Sequence, residues 1–63
     1  MKFTITIKCD NAAFDGEPGV EVARILREAL PLIEHAGAEG RTLRLRDVNG
    51  NFVGQCEWER GDE

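Results

Sequence analysis

The stretch RTLRLRDVNGNFVGQCEWE, residues 41–59, decides the fold because its turn signal and its face pattern agree. Asn49-Gly50 is typical of the two-residue loop of a β-hairpin, since both positions accept the positive φ of a type I′ turn. The sequence therefore predicts a hairpin with strands at 41–48 and 51–59. Such a loop also sets the pairing of the two strands, which is Leu45 with Gly54, Leu43 with Cys56 and Asp47 with Phe52.

This register gives the hairpin one apolar and one polar face. We expect the apolar face to lie in the core, and its members are Leu43, Leu45, Phe52, Cys56 and Trp58. The polar face consists of Thr42, Arg44, Arg46, Val53, Gln55 and Glu57. A shift of one residue would move every side chain to the other face, so the agreement favours this register.

Two elements precede the hairpin. Strict alternation over 2–9 predicts a strand that points Phe3, Ile5, Ile7 and Cys9 toward the core. Apolar residues three and four apart predict an amphipathic helix over 20–36, with Leu26 among its most buried residues. Pro31 lies within that helix, so we expect a bend near 31, or an end near Leu30 followed by a short restart. The polar residues 60–63 are expected to fray.

The order β-α-β-β predicts an α+β fold, with one helix packed on a three-stranded sheet in a single domain, 1–63. Because the helix reverses the chain, strand one runs parallel to strand two and antiparallel to strand three. The orders 1-3-2 and 1-2-3 are both open. We favour 1-3-2, because its central strand pairs antiparallel on both sides and antiparallel pairs are commoner.

Composition limits the classes of function. The chain has 63 residues and a formal net charge of −4, which counts against a general nucleic-acid binder because phosphate contacts need a basic surface. No run approaches the ~20 apolar residues of a membrane span, and the first residues do not resemble a secretory signal. We therefore expect a cytoplasmic protein without membrane contact, in which Cys9 and Cys56 are reduced thiols. A core this small leaves a homodimer open.

We expect neither catalysis nor a metal or cofactor. The chain has no serine and no tyrosine, and its one histidine, His35, falls on the polar helix face. This leaves no set of nucleophile, base and orienting group. The side chains that could bind a metal, namely Cys9, Cys56, His35 and Asp10, are scattered rather than arranged in the short spacings of a zinc site.

Two surfaces are then candidates for a partner. The first is the polar sheet face, with Lys8, Thr42, Arg44, Arg46, Val53 and Gln55 as its binding residues. The alternative is an acidic surface made of Asp10, Asp15, Glu17, Glu21, Glu57 and Glu59. Single-stranded nucleic acid is less expected on the sheet face, because stacking requires exposed aromatic rings and all four aromatic side chains are predicted to point inward.

Several segments resemble small, uncharacterised proteins of bacteriophages and prophages: DNAAF at 10–14, VARILR at 22–27, and LRDVNGN at 45–51 with VG at 53–54. The resemblance spans most of the chain and implies no catalytic residues. Small acidic phage proteins often bind and block a host protein, as anti-CRISPR proteins do.

The resemblance thus implies a stoichiometric inhibitor of a host defence protein, acting in the cytoplasm of the host bacterium. Two alternatives stay open. One is a nucleic-acid-associated accessory protein that uses the Arg/Lys sheet face, and the other is a structural homodimer.

Overall fold

The computed structural model describes residues 1–36 and 42–59. Its elements are β1 (Lys2–Ile7), a 3₁₀ turn (Ala12–Phe14), α1 (Pro18–Ala36), β2 (Thr42–Arg46) and β3 (Phe52–Glu59). This is the α+β fold of β-α-β-β order that the sequence predicts. The predicted first hairpin residue, at 41, and the predicted frayed tail, at 60–63, lie outside the described residues. No helix within the described residues is both long and apolar enough to span a membrane.

The sheet has the order β1-β3-β2, and both pairs are antiparallel. The favoured order, 1-3-2, is confirmed. Leu45 lies opposite Gly54 and Leu43 lies opposite Cys56, as predicted. All three strands are shorter than expected, and β1 ends at Ile7, before Cys9.

The hairpin loop is one residue longer than predicted. Gly50 has a φ of 85°, but no residue other than glycine has a positive φ in the described part of the chain, so Asn49 lacks the backbone conformation that a type I′ turn requires. The N–H of Gly50 donates to the carbonyl of Asp47 (2.9 Å), and the N–H of Asp47 donates to the carbonyl of Asn51 (2.9 Å). The loop therefore has three residues, 48–50, with glycine in the left-handed position.

A β-bulge at Val53 compensates for the longer loop. Phe52 lies opposite Arg46 rather than Asp47, and the register then shifts by one residue before Leu45 meets Gly54. A bulge turns the side chains next to it, because two residues of one strand oppose one residue of the other. Val53 is accordingly buried, whereas Phe52 is 51% exposed. The predicted faces of these two residues are wrong for this reason.

The helix α1 begins at Pro18, two residues earlier than predicted, and continues through Pro31 to Ala36. Proline suits the first turn of a helix because the N–H that it lacks has no helical partner there. Pro31 is exposed, as its position opposite the apolar stripe predicts. The alternative of a helix that ends near Leu30 is wrong.

The core lies between α1 and the β2–β3 half of the sheet. Its buried apolar residues are Phe14, Ile25, Ala29, Leu45, Val53 and Cys56. Four residues expected at its centre are less covered: Leu26, Leu43 and Trp58 are half-buried, and Ile5 is 40% exposed. The helix packs closer to β2 than to β1, so Ile25 takes the central position that Leu26 was expected to occupy.

The two cysteines occupy different environments. Both are free thiols, and Cys56 is buried while Cys9 is exposed. Burial raises the pKa of the Cys56 thiol. Cys9 was expected to face the core, but β1 ends two residues before it and the strand alternation ends there as well.

Candidate functional site

A buried carboxylate organises the hairpin loop. Asp47 is 4% exposed, and its two oxygens accept four hydrogen bonds, from the N–H of Asn49 (2.9 Å), the N–H of Asn51 (2.8 Å), the Asn51 amide (3.2 Å) and the Asn11 amide (2.8 Å). Burial acts to raise the pKa of Asp47, but the hydrogen bonds from Asn51, Asn11 and Asn49 outweigh it and hold the pKa below its ordinary value. Asp47 thus fixes the loop and ties it to the segment after β1.

A second buried carboxylate joins the same loop to the helix. Arg24 donates two hydrogen bonds to Glu21 (3.0 and 2.8 Å), and the N–H of Val48 donates a third (2.8 Å). The Arg24 hydrogen bonds and the Val48 N–H lower the pKa of Glu21 despite its burial. Arg24 also pairs with Glu28 (2.9 Å). Glu21 was expected on an exposed acidic surface, but its position one turn before Ile25 turns it inward.

These two carboxylates predict a loss of stability in acid. Both carboxylates have lowered pKa values in the folded protein. They therefore stabilise the fold fully at a pH above their ordinary pKa values, which are about 4, and this stabilisation is lost as the pH falls through the lowered values of the folded protein. We expect the melting temperature to be nearly constant from about pH 7 to about pH 5 and to fall below about pH 4. Glu21→Gln should reduce this fall, whereas Asp15→Asn, at an exposed position, should leave it intact. Equal melting temperatures at pH 3 and pH 7 would contradict this role.

The polar face of the sheet, called the outer sheet face below, is open. It carries Thr4, Thr6 and Lys8 from the β1 side, Thr42, Arg44 and Arg46 from β2, and Phe52, Gln55 and Glu57 from β3. Of the six predicted binding residues, Lys8, Thr42, Arg44 and Arg46 are exposed and Gln55 is half-buried. The sixth, Val53, belongs to the core, and Phe52 takes its place on this face.

Phe52 and Arg44 form the centre of the outer sheet face. The guanidinium carbon of Arg44 lies 5.1 Å from the centre of the Phe52 ring, within the range of a cation–π contact. Phe52 was missed as a site residue because the bulge reverses its face. A possible signal was Gly54, since a glycine inside a strand often marks a bulge or a close backbone approach.

The cations of the outer sheet face lack ion-pair partners in the described part of the chain. Lys8, Arg44 and Arg46 form no ion pair with a carboxylate of the described residues. Arg46 instead donates to the carbonyl of Gly50 (3.1 Å). Two acids border this face, namely Glu57, which accepts a hydrogen bond from Gln55 (2.6 Å), and Asp10, which lies near Lys8. The β2 side of the face, which carries Arg44 and Arg46, is therefore positive.

A shallow cavity opens on the same face. Its volume is about 460 Å³, which is within the range of small ligand sites. Thr6, Lys8, Phe52 and Gln55 contribute to its lining, together with Asp10. The cavity offers an apolar wall next to a lysine and a carboxylate, so it can hold an apolar side chain that has polar neighbours.

The predicted acidic surface is divided in the structure. Asp10, Asp15 and Glu17 are exposed between β1 and α1, while Glu59 lies opposite Lys2, at the other end of β1. The other two members are less accessible, since Glu57 is half-buried and Glu21 is buried. The six residues therefore do not form one continuous site.

Within residues 1–36 and 42–59, no group of three or more His, Cys, Asp or Glu side chains is arranged to hold a metal ion. Comparison with known proteins gives no assignment. No protein-family model matches the chain, and no curated protein and no solved structure is significantly similar to it.

Proposed function

We propose that this chain is a protein-binding module without catalytic activity, and that its outer sheet face binds an acidic surface of a partner protein. The observation that carries the proposal is the exposed pair of Phe52 and Arg44, with Lys8 and Arg46 on the same face and without a described carboxylate partner. Arginine and aromatic residues are enriched at the energetic centres of protein interfaces. Unpaired cations on one face favour an acidic partner.

The resemblance to phage and prophage proteins supports a bacterial host protein as the first partner class to test. The proposed mode of action is stoichiometric: the module occupies a surface of a host defence protein and blocks it in the host cytoplasm. Such inhibition requires only a complementary contact surface.

Single-stranded nucleic acid is the second candidate, and one observation favours it. The argument against it was that no aromatic ring would be exposed, but Phe52 is exposed beside two arginines. A base can stack on such a ring while the cations contact phosphates. The net charge of −4 favours a protein partner instead, because phosphate contacts need a basic surface.

Affinity capture from a bacterial lysate, followed by binding measurements with the purified partner, tests the proposal. We expect Arg44→Glu to weaken binding by about tenfold or more, because it reverses charge at the centre of the face. The melting temperature should change by only a few degrees, because an exposed cation–π contact is worth about 0.5–1 kcal/mol.

Arg27→Glu is the matched control, because Arg27 is exposed on α1 and forms no ion pair with a described residue. Arg24 is unsuitable as a control, since it holds Glu21 and Glu28. Loss of binding with Arg27→Glu but not with Arg44→Glu would place the interface on the helix. Capture that nuclease treatment abolishes would favour the nucleic-acid candidate.

A further inference from the structure

In the described sheet, β2 is an edge strand, and a groove lies beside it. Among the described residues it pairs with β3 alone, and an edge strand presents N–H and C=O groups at alternate residues to a further strand. The carbonyl of Arg46 already accepts a hydrogen bond from Arg24 (3.3 Å), so a further strand would pair with the part of β2 that precedes Arg46. A groove of about 220 Å³ lies between this strand and α1. Its apolar lining is formed by Ile25, Ala29, Leu32 and Leu45, and Leu32 is 55% exposed. No other described strand pairs with this edge, so another chain can add to it.

The two sides of this edge differ in chemistry. Arg44 and Arg46 lie on the outer sheet face and also reach the groove lining, and neither pairs with a described carboxylate. The two acids of the groove are already engaged, since Glu28 pairs with Arg24 (2.9 Å) and Asp47 accepts the four hydrogen bonds described above. One side of the edge is thus cationic, and the other side is an apolar groove.

We propose that an extended segment of the partner, with alternating acidic and apolar residues, adds to β2 as a fourth strand. Successive side chains of a strand point to opposite faces. The acidic side chains of the added strand would lie beside Arg44 and Arg46, and its apolar side chains would enter the groove at Leu32. This inference rests on the proposed function and specifies the shape of its partner. Strand addition to an exposed edge is a common mode of peptide recognition.

A second copy of this chain is a poorer occupant of the same edge. If two β2 strands paired antiparallel, the arginines of one outer face would lie across from those of the other. Like charges opposite one another in a sheet destabilise the pairing. Charge complementarity therefore selects an acidic strand over self-pairing.

Fluorescence anisotropy with a labelled EVEVEVE peptide tests the inference, with EEEEVVV as a control of equal composition. We expect the alternating peptide to bind at least about tenfold more tightly, because only its pattern separates charge from apolar groups. Two further peptides carry methyl groups on the backbone nitrogens of the odd-numbered or of the even-numbered residues. One of the two should not bind and the other should bind normally, since only alternate N–H groups of the peptide can bond to β2.

Two pairs of measurements locate the peptide on the protein. Leu32→Lys should weaken binding of EVEVEVE by about tenfold or more, and Leu30→Lys should not, although the two leucines are equally exposed. Arg44→Glu should abolish binding of EVEVEVE and allow binding of KVKVKVK. These variants change exposed positions, so their melting temperatures should stay near that of the parent.

The outcomes separate this inference from the proposed function. Strand addition is wrong if Leu32→Lys does not weaken partner binding and neither methylated peptide loses affinity. If Arg44→Glu still prevents partner binding in that case, the outer sheet face binds the partner in another way. Failure of the alternating peptide to bind at millimolar concentration would also overturn strand addition. Concentration-dependent dimers with amide protection along β2 would assign the edge to a second copy instead. The proposed function is tested separately, by the effects of Arg44→Glu and Arg27→Glu on partner binding, and it fails if Arg44→Glu leaves that binding unchanged.

Discussion

Gly54→Ala is expected to unfold most of the protein, with a loss of about 3 kcal/mol or more in the free energy of unfolding. A Cβ at Gly54 would overlap the carbonyl oxygen of Thr6 and lie 2.9 Å from the Cα of Ile7. These are backbone atoms, so no side-chain rotation can relieve the overlap and β1 must move away from β3. A domain of this size has little stability in reserve. Urea unfolding followed by circular dichroism measures the loss.

Gly19→Ala is the matched control for this effect. Gly19 lies in the first turns of α1, and a Cβ there would meet nothing within 4 Å. Alanine is the better helix former, so stability should be unchanged or slightly higher. If Gly54→Ala melts within a few degrees of the parent, the close approach of β1 and β3 is wrong.

Asp47→Asn is expected to destabilise the hairpin strongly although it preserves the shape of the side chain. The carboxylate of Asp47 accepts four hydrogen bonds, and an amide in its place would bring its own N–H₂ against the donors from Asn11 and Asn51. A buried donor without an acceptor destabilises the folded state. The melting temperature should fall far more than with Asp15→Asn, which changes an exposed side chain.

Hydrogen exchange locates the effect of this substitution. The amides of Asn49 and Asn51 donate to Asp47, so both should exchange faster in Asp47→Asn, while amides in the centre of α1 should change less. Loosening of the loop should also disturb Phe52, which follows it directly. Unchanged exchange at Asn49 and Asn51 would show that the carboxylate does not hold the loop.

The strand order and most of the register follow from local sequence signals. Alternation over β1, the helical period of α1 and the glycine at position 50 are each strong, and together they allow only two sheet orders. Leu45 meets Gly54 as predicted because two shifts of one residue cancel: the loop includes Val48, which shifts the pairing by one, and the extra residue of the bulge, Val53, shifts it back.

Asp47, taken together with Gly50, indicates the three-residue loop that the structure shows. Asp47 and Gly50 stand at the first and fourth positions of a type I turn, where aspartate and glycine are favoured. Asn49-Gly50 alone suggests the two-residue loop. The choice depends on whether the Asp47 side chain can be buried, and its partner Asn11 comes from a distant part of the chain. A local pattern does not contain that contact.

The sequence predicts only part of the candidate site, because some of its residues depend on contacts that a local pattern does not contain. Lys8 follows β1, and Arg44 and Arg46 belong to β2, whereas the extra residue of the bulge is in β3, so simple alternation places these cations on the outer sheet face. Phe52 and Val53 lie at the bulge, and their faces depend on loop length and on the close approach at Gly54. Glu21 shares the stripe of Ile25, but its charge suggests an exposed position, because the contacts with Arg24 and Val48 that allow its burial depend on the tertiary fold.

The central claim has two parts: the bulge places the Phe52 side chain on the outer sheet face, and this side chain contributes most to partner binding there. The most direct measurement compares Phe52→Ala with Val53→Ala, for both the melting temperature and the affinity for the captured partner. We predict that Phe52→Ala weakens binding by about tenfold or more and barely changes the melting temperature, because the ring is half exposed. Val53→Ala should lower the melting temperature markedly, since it opens a cavity in the core. The reverse pattern, a destabilised Phe52→Ala that still binds normally once folded, would contradict the account.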